Sequence, residues 1–334
     1  MKAAVFHGPR DVRCEEIDTP PLEPGDLLLR VKACGICGSD LHTYRHGLFQ
    51  QLGDPVGNGR VLGHEFCGEI VEMGGEVSGM AKGGRVVAVG TGGNAEFVRV
   101  PAAMTGGMMT VLDSVGDAEA ATMEPLATSL HAANLGNAKD GETHLVMGAG
   151  IIGLGILQCI KARTNARVVV VDLSDKRLAK AEELGADETI NAGQVDVVDQ
   201  LAGTRIEEGN ILDRIGEGTI DTVYDCAGMG KGNAGTSVLE QAINIVRENG
   251  RVVIVAVFEQ DVTLDYNVLV RKGVTVVGSW TWSMAELAEA ARMINNGVVD
   301  RTPLISHRFS LDQASDAYET QLMAEEAIKV VFTP

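Results

Sequence analysis

Along the first hundred residues, short aliphatic and β-branched runs alternate with glycine and proline. "KAAVF", "DLLLRVKACGI", "GEIVEMG", "GGRVVAVG" and "AEFVRVP" each predict a strand. From about residue 143 the period changes. "HLVMGAG" predicts a strand entering a glycine turn, and "IIGLGILQCIKAR" a helix with an apolar face. "ARVVVVD" reads as a buried strand, and "SDKRLAKAEELG" as a helix with Ser174 as N-cap and Gly185 as its stop. "DTVYDCAG" is a further strand, followed by a helix over "SVLEQAINIVREN" that ends at Gly250. "RVVIVAV" and "GVTVVGS" complete the parallel set, "MAELAEAARMINNG" adds a helix and "EEAIKVVFTP" a closing strand. Strands alternating with helices predict an α/β fold built on a doubly wound parallel sheet. The earlier strands predict a separate β-rich domain.

Composition narrows the class. A chain of 334 residues is long for one core and sufficient for two domains. Hydrophobic residues at 45% and charged residues at 22% suit a soluble globular protein. No apolar run reaches the length of a membrane span. "MKAAVFHGPR" has no secretory character, so the expected location is cytoplasmic. A net charge of −18 argues against a nucleic-acid partner and against an anionic membrane surface. The six cysteines (Cys14, Cys34, Cys37, Cys67, Cys159, Cys226) are scattered, which suits reduced thiols and a metal site better than a disulfide framework.

The glycine turn carries the first chemistry. "GAGIIG" places Gly148, Gly150 and Gly153 in the G-x-G-x-x-G pattern, with Ile152 inside it. A strand precedes, a helix follows, and Asp172 ends the next strand 19 positions after Gly153. Gly148 permits the turn, Gly150 lets a pyrophosphate approach the backbone, and Gly153 lets helix and strand pack. The helix N-terminus then faces phosphate with unpaired N–H groups. Asp172 would accept hydrogen bonds from ribose hydroxyls and repel a 2′-phosphate, which favours NAD over NADP. Arg177 lies five residues later, at the ribose edge or in solvent.

"ACGICGSDLH", residues 33–42, holds two cysteines, a serine, an aspartate and a histidine. Alone it fits a redox dithiol, half of a structural zinc site, or a corner of a catalytic metal centre. "VLGHEFCGEIVEMG" puts His64 27 residues after Cys37 with Glu65 next to it, and "MEPLATSLHA" adds Glu124. With the glycine turn, these motifs stand in the order of a known family. The sequence resembles the zinc-dependent medium-chain alcohol and polyol dehydrogenases over essentially its whole length.

The resemblance implies a GroES-like catalytic domain at 1–125 and 279–334 around a Rossmann domain at 126–278. It makes Cys37 and His64 ligands of a catalytic zinc. Where many alcohol dehydrogenases carry a third cysteine this chain has Glu124, as in the sorbitol, butanediol and threonine dehydrogenase branch. Glu65 is a candidate for the same role, by direct binding or in exchange with water, and the sequence leaves the two glutamates open. Asp40 would orient the histidine ligand. Ser39 would accept the substrate proton and His42 pass it on. Val255 and Val257 match positions facing the nicotinamide. Cys34 reads as a buried filler.

The expected reaction is hydride transfer between a secondary alcohol and NAD, with an alcohol or ketone as the small-molecule partner and a homodimer or homotetramer as the assembly. The alternatives are a dehydrogenase of simple aliphatic or aromatic alcohols, a zinc-free quinone-type reductase of the same fold, and an NAD-binding sensor. Two departures from the family touch the first domain: Gly84 in "GGRV" where "GDRV" is common, and the extra glycines of "QQLGDPVGNGRVLGHE". No cysteine lies between Cys67 and Cys159, so the four-cysteine lobe of many relatives is missing. One catalytic zinc and no structural zinc are expected.

Overall fold

The computed structural model describes residues 1–48, 60–202, 218–229 and 235–334. Most of the glycine-rich stretch before His64 lies outside the described residues. The chain divides into two compact units, Met1–Pro125 with Met284–Pro334, and Leu126–Ser283.

The first unit opens with the antiparallel pair β1 (Lys2–Gly8) and β2 (Asp11–Glu16). Then come β3 (Leu27–Gly35), α1 (Gly38–His46), β4 (Glu65–Met73), β5 (Arg85–Ala88), β6 (Phe97–Val100) and β7 (Met109–Thr110). The short α2 (Asp117–Ala120) precedes α3 (Met123–Gly136), within which the unit boundary falls. β3 is buried at all positions but Arg30 and Lys32, and β4 is buried from Glu65 to Gly68 before Glu69, Val71 and Glu72 reach the surface on either side of buried Ile70. Leu27, Leu29, Val31, Phe66 and Ile70 from these strands form one core cluster with Val86, Val98 and Val100.

The second unit is the predicted parallel sheet. It contains β8 (Thr143–Met147), α4 (Ile151–Lys161), β9 (Arg167–Asp172), α5 (Asp175–Glu183), β10 (Glu188–Asn191), α6 (Val197–Leu201) and β11 (Ile220–Asp225). It continues with α7 (Val238–Ile245), β12 (Val246–Ile254), α8 (Tyr266–Lys272) and β13 (Thr275–Gly278). The strand order is β10-β9-β8-β11-β12-β13, every pair parallel. That is the doubly wound order, in which the direction of winding reverses between β8 and β11 and leaves a crevice at their carboxyl ends. Leu145, Val169, Val223 and Val252 bury one sheet face under Leu239 and Ile243 of α7 and Val268 of α8.

Local signals set several ends. Ser174 caps α5 by accepting the Arg177 N–H, and Gly185 follows that helix at φ +92°. One predicted helix end is corrected. The helix expected to run to Gly250 stops at Ile245, and Val246 already pairs with Ile220 in the sheet. The buried Lys272 ammonium explains the early stop, donating to the carbonyls of Asn244 (2.6 Å) and Val246 (2.7 Å). A cation at a helix C-terminus satisfies carbonyls that a further turn would otherwise take up.

The chain then returns to the first unit with α9 (Met284–Asn295), β14 (Ile305–Phe309), α10 (Ala314–Leu322) and β15 (Lys329–Phe332). β15 pairs with β3, so the first unit's sheet runs β14-β15-β3-β4-β5-β7, with β6 also on β3. Tyr318 of α10 and Phe332 of β15 share a core cluster with Ile36 and Tyr44.

Candidate active site

In the first unit β3 ends at Gly35, the chain turns, and Cys37 becomes the N-cap of α1. Asp40, in the first turn of that helix, accepts the Cys37 N–H at 2.9 Å. Its other oxygen faces the Gly63 N–H at 3.4 Å and lies 3.9 Å from His64 Nδ1. One buried carboxylate thus touches the segments carrying both Cys37 and His64. Ser39 and His42, three apart on α1, lie on one side of the helix, both partly exposed.

Glu65 opens β4 directly after His64. The candidate ligand atoms of Cys37, His64 and Glu65 all lie within 4.8 Å of one another. Thiolate, imidazole and carboxylate make a donor set suited to zinc. Desolvation opposes a charge on His64, yet Cys37, then Asp40 and Glu124, push its pKa well above the usual value. That is a pocket of negative potential which a divalent cation would neutralise. Glu124, in the first turn of α3, is partly buried and contributes to this field without belonging to the tight three-atom cluster.

The sequence reading missed Lys329 of β15. Its ammonium donates to both Glu65 oxygens, at 2.9 and 2.7 Å, and to the Ile36 carbonyl at 2.8 Å. Both side chains are 1% exposed. Burial works against the ammonium, but Glu65 and then Cys37 outweigh it and raise the Lys329 pKa. Gly35 makes the room: a Cβ there would stand 2.2 Å from Glu65 Oε2. The available signal was one lysine inside the apolar run "AIKVVF". Cys34 is fully buried, three residues from Cys37, as a filler should be.

In the second unit the glycine turn sits at the carboxyl end of β8. The Gly148 N–H donates to the Val171 carbonyl at 2.7 Å. A Cβ on Gly153 would stand 1.9 Å from the Gly148 carbonyl oxygen, so only glycine allows this approach of helix to turn. Gly150 is the N-cap of α4 and brings no side chain to the start of that helix. Ile152 presents its carbonyl to Ser129 Oγ at 3.0 Å. Asp172 accepts the Ala149 N–H at 2.6 Å and the Ser174 N–H at 2.9 Å, tying the end of β9 to the turn. Arg177 Nη1 lies 3.9 Å from the same carboxylate. Val255 and Val257 are half-buried just beyond β12.

Comparison with known proteins agrees with both halves. The family described as "Alcohol dehydrogenase GroES-like domain" matches residues 23–110, and that described as "Zinc-binding dehydrogenase" matches 152–296. The chain is 31% identical to erythritol/L-threitol dehydrogenase of Mycolicibacterium smegmatis, across 100% of this chain and 98% of that protein. It is 33% identical to (R,R)-butanediol dehydrogenase of Bacillus subtilis, across 83% and 84%. Among solved structures, 2R,3R-butanediol dehydrogenase from Bacillus subtilis superimposes with a TM-score of 0.83 at 28% identity, covering 100% and 99%. A zinc-binding dehydrogenase from Sinorhizobium meliloti, solved with NADP, gives the same TM-score, identity and coverage. A glycine turn on a doubly wound sheet, a thiol–imidazole–carboxylate corner and this whole-length similarity lead to one conclusion: the chain belongs to the zinc-binding, medium-chain dehydrogenase family.

Proposed function

We propose that the protein oxidises secondary alcohols bearing a neighbouring hydroxyl (diols, polyols or sugar-like alcohols) with NAD, and reduces the matching ketones. The observation that carries this reading is the cluster of Cys37, His64 and Glu65, with Ser39 and His42 on the helix that Cys37 caps. Cys37 and His64 would hold zinc together with Glu65 or Glu124. When bound, zinc supplies Lewis-acid chemistry that makes an alcohol acidic near neutral pH, and NAD supplies the hydride acceptor. Ser39 accepts the alcohol proton and His42 passes it outward. Asp40 and Lys329 hold the corner from behind. Gly148, Gly150, Ile152 and Gly153 cradle the pyrophosphate, Asp172 and Arg177 meet the adenosine ribose, and Val255 and Val257 face the nicotinamide.

The substrate class rests on Glu124 standing where a cysteine is common, on polar Arg45 and His46 just beyond the relay, and on the polyol and diol dehydrogenases among the relatives, whereas the neighbouring Tyr44 is buried and donates to Glu319 at 2.7 Å. One zinc per chain follows from the missing four-cysteine lobe. Six cysteines that form no disulfide fit a reducing cytoplasm, and no described helix is long and apolar enough to cross a membrane. A homodimer or homotetramer is supported by the edge strand β13, three of whose four residues are exposed, and by the nearby exposed Tyr266, Val270 and Trp280. Light scattering would read the assembly directly, and a monomer would remove this part of the reading.

The deciding experiment measures NAD and NADP reduction across vicinal diols, polyols and simple alcohols. Vicinal diols or polyols with NAD should give the highest kcat/KM. A strong preference for long unbranched primary alcohols would overturn the substrate class, and a preference for NADP would overturn the reading of Asp172.

A further inference from the structure

The second unit holds a buried acid that neither the glycine turn nor the ribose contact uses. Asp225, the last residue of β11, has no exposed surface. Its Oδ1 accepts the N–H groups of Ala227 at 3.2 Å and Gly228 at 2.8 Å, the pattern of an Asx turn. Its backbone carbonyl accepts from Val255 at 2.9 Å and Ala256 at 3.0 Å. Its Oδ2 is buried with no hydrogen-bond partner among the described residues. Burying an acid without full pairing is costly, and a native fold that keeps one calls for an explanation. Desolvation accordingly pushes its pKa up.

The turn that Asp225 fixes touches both segments given to the coenzyme. On one side the Cys226 N–H donates to the Met147 carbonyl at 2.9 Å. A Cβ on Gly148 would stand 3.1 Å from the Cys226 carbonyl carbon and 3.2 Å from the Ala227 nitrogen, so the turn backs directly onto the phosphate loop. On the other side Gly228 adopts φ +63°, and a Cβ there would stand 2.8 Å from the Val257 oxygen and 2.9 Å from Ala256 Cβ. The Met229 carbonyl accepts the Glu259 N–H at 3.0 Å, extending the contact along the same segment. Ligands of open α/β sheets bind at the carboxyl ends of strands, where Asp225 stands.

We propose that Asp225 is a positioning residue for the nicotinamide half of the coenzyme. Its carboxylate shapes the 226–229 turn, and that turn sets where Val255 to Val257 lie relative to Gly148. The inference rests on the reading of Val255 and Val257 as the nicotinamide-facing segment. Asp172, at the end of β9, serves the adenosine half from two strands away, on the other side of β8. The two halves of the coenzyme should therefore respond differently when Asp225 is changed.

The test compares the wild type with Asp225→Ala, Asp225→Asn and Gly228→Ala, measuring binding of NAD and of AMP by calorimetry and the kinetics of alcohol oxidation. Asp225→Ala should weaken NAD binding and raise its KM about ten-fold, the scale of losing hydrogen bonds to a carboxylate. AMP affinity should stay within about two-fold, because its contacts lie at β9. Asp225→Asn keeps one accepting oxygen and should recover most of the loss. Gly228→Ala pushes the same segment from outside and should reproduce the defect, which keeps the proposal testable if Asp225→Ala fails to fold. NAD affinity unchanged in Asp225→Ala or Gly228→Ala, an equal loss of AMP affinity, or no recovery in Asp225→Asn would overturn it. A wild type that binds AMP but neither NAD nor NADP would overturn the functional reading itself, a result distinct from any of these.

Discussion

The candidate metal corner and the glycine turn solve different problems with different materials. The corner is made of side chains brought from β3–α1, the start of β4 and the far-off β15. The turn is made of backbone, from one continuous stretch in which missing side chains matter most. A site made of side chains fails when an atom is removed. A site made of backbone fails when one is added. Beside the glycine turn, Asp172 and Asp225 add side chains to this backbone site, each a carboxylate spent on backbone N–H groups that hold a turn in shape.

Removing the thiol should give the largest effect. Cys37→Ala is expected to lose its zinc and at least about a thousand-fold in turnover, while NAD still binds within about two-fold. Elemental analysis and NADH fluorescence titration read the two sites separately. Ser39→Ala sharpens the contrast, since it should slow turnover about a hundred-fold with zinc retained. Full metal content in Cys37→Ala, or full turnover in Ser39→Ala, would break the division of labour.

The next effect is on stability. Lys329→Met leaves the Glu65 charge buried without its ammonium, which costs roughly 3–5 kcal/mol. The double variant Lys329→Met, Glu65→Gln should regain much of that, because no bare charge remains. Denaturant unfolding checks both, and equal destabilisation of single and double variants would show that the pair is not what holds this corner.

The smallest effect belongs to coenzyme choice. On the proposed reading, in which the Asp172 carboxylate repels a 2′-phosphate, Asp172→Ala should raise the ratio of NADP to NAD efficiency about ten-fold. Because Asp172 also accepts the Ala149 and Ser174 N–H groups, NAD affinity should fall as well. An unchanged ratio, measured as kcat/KM for each coenzyme, would assign the carboxylate to the turn alone.

What could be read from the sequence follows the same division. The glycine turn, the Ser174 cap and the Gly185 stop are local, and their residue types state their conformations. Cys37, His64 and Glu65 could be named from motif order, but their convergence depends on the pairing of β3 with β4. Lys329 was out of reach because its partner lies 264 positions away, and a lone lysine does not name the acid it meets. The end of α7 was misread for a similar reason. "SVLEQAINIVREN" has helical periodicity throughout, yet pairing with β11 and the Lys272 ammonium decide where the helix stops. Asp225 reads as the ordinary end of a strand, and only burial and an oxygen with no partner among the described residues set it apart.

The insertion of one unit within the other has a consequence for synthesis. The ribosome makes β3, α1 and β4 early, then all of Leu126–Ser283, and only afterwards the strand that carries Lys329. The second unit therefore possesses every residue of its own sheet while Glu65 still has no counter-charge. Domains fold as units during translation, so the nascent chain can form its nucleotide-binding unit first and must keep the other open. Over that interval Cys34 waits without the strand that pairs beside it, which is when oxidants would find this thiol easiest to reach.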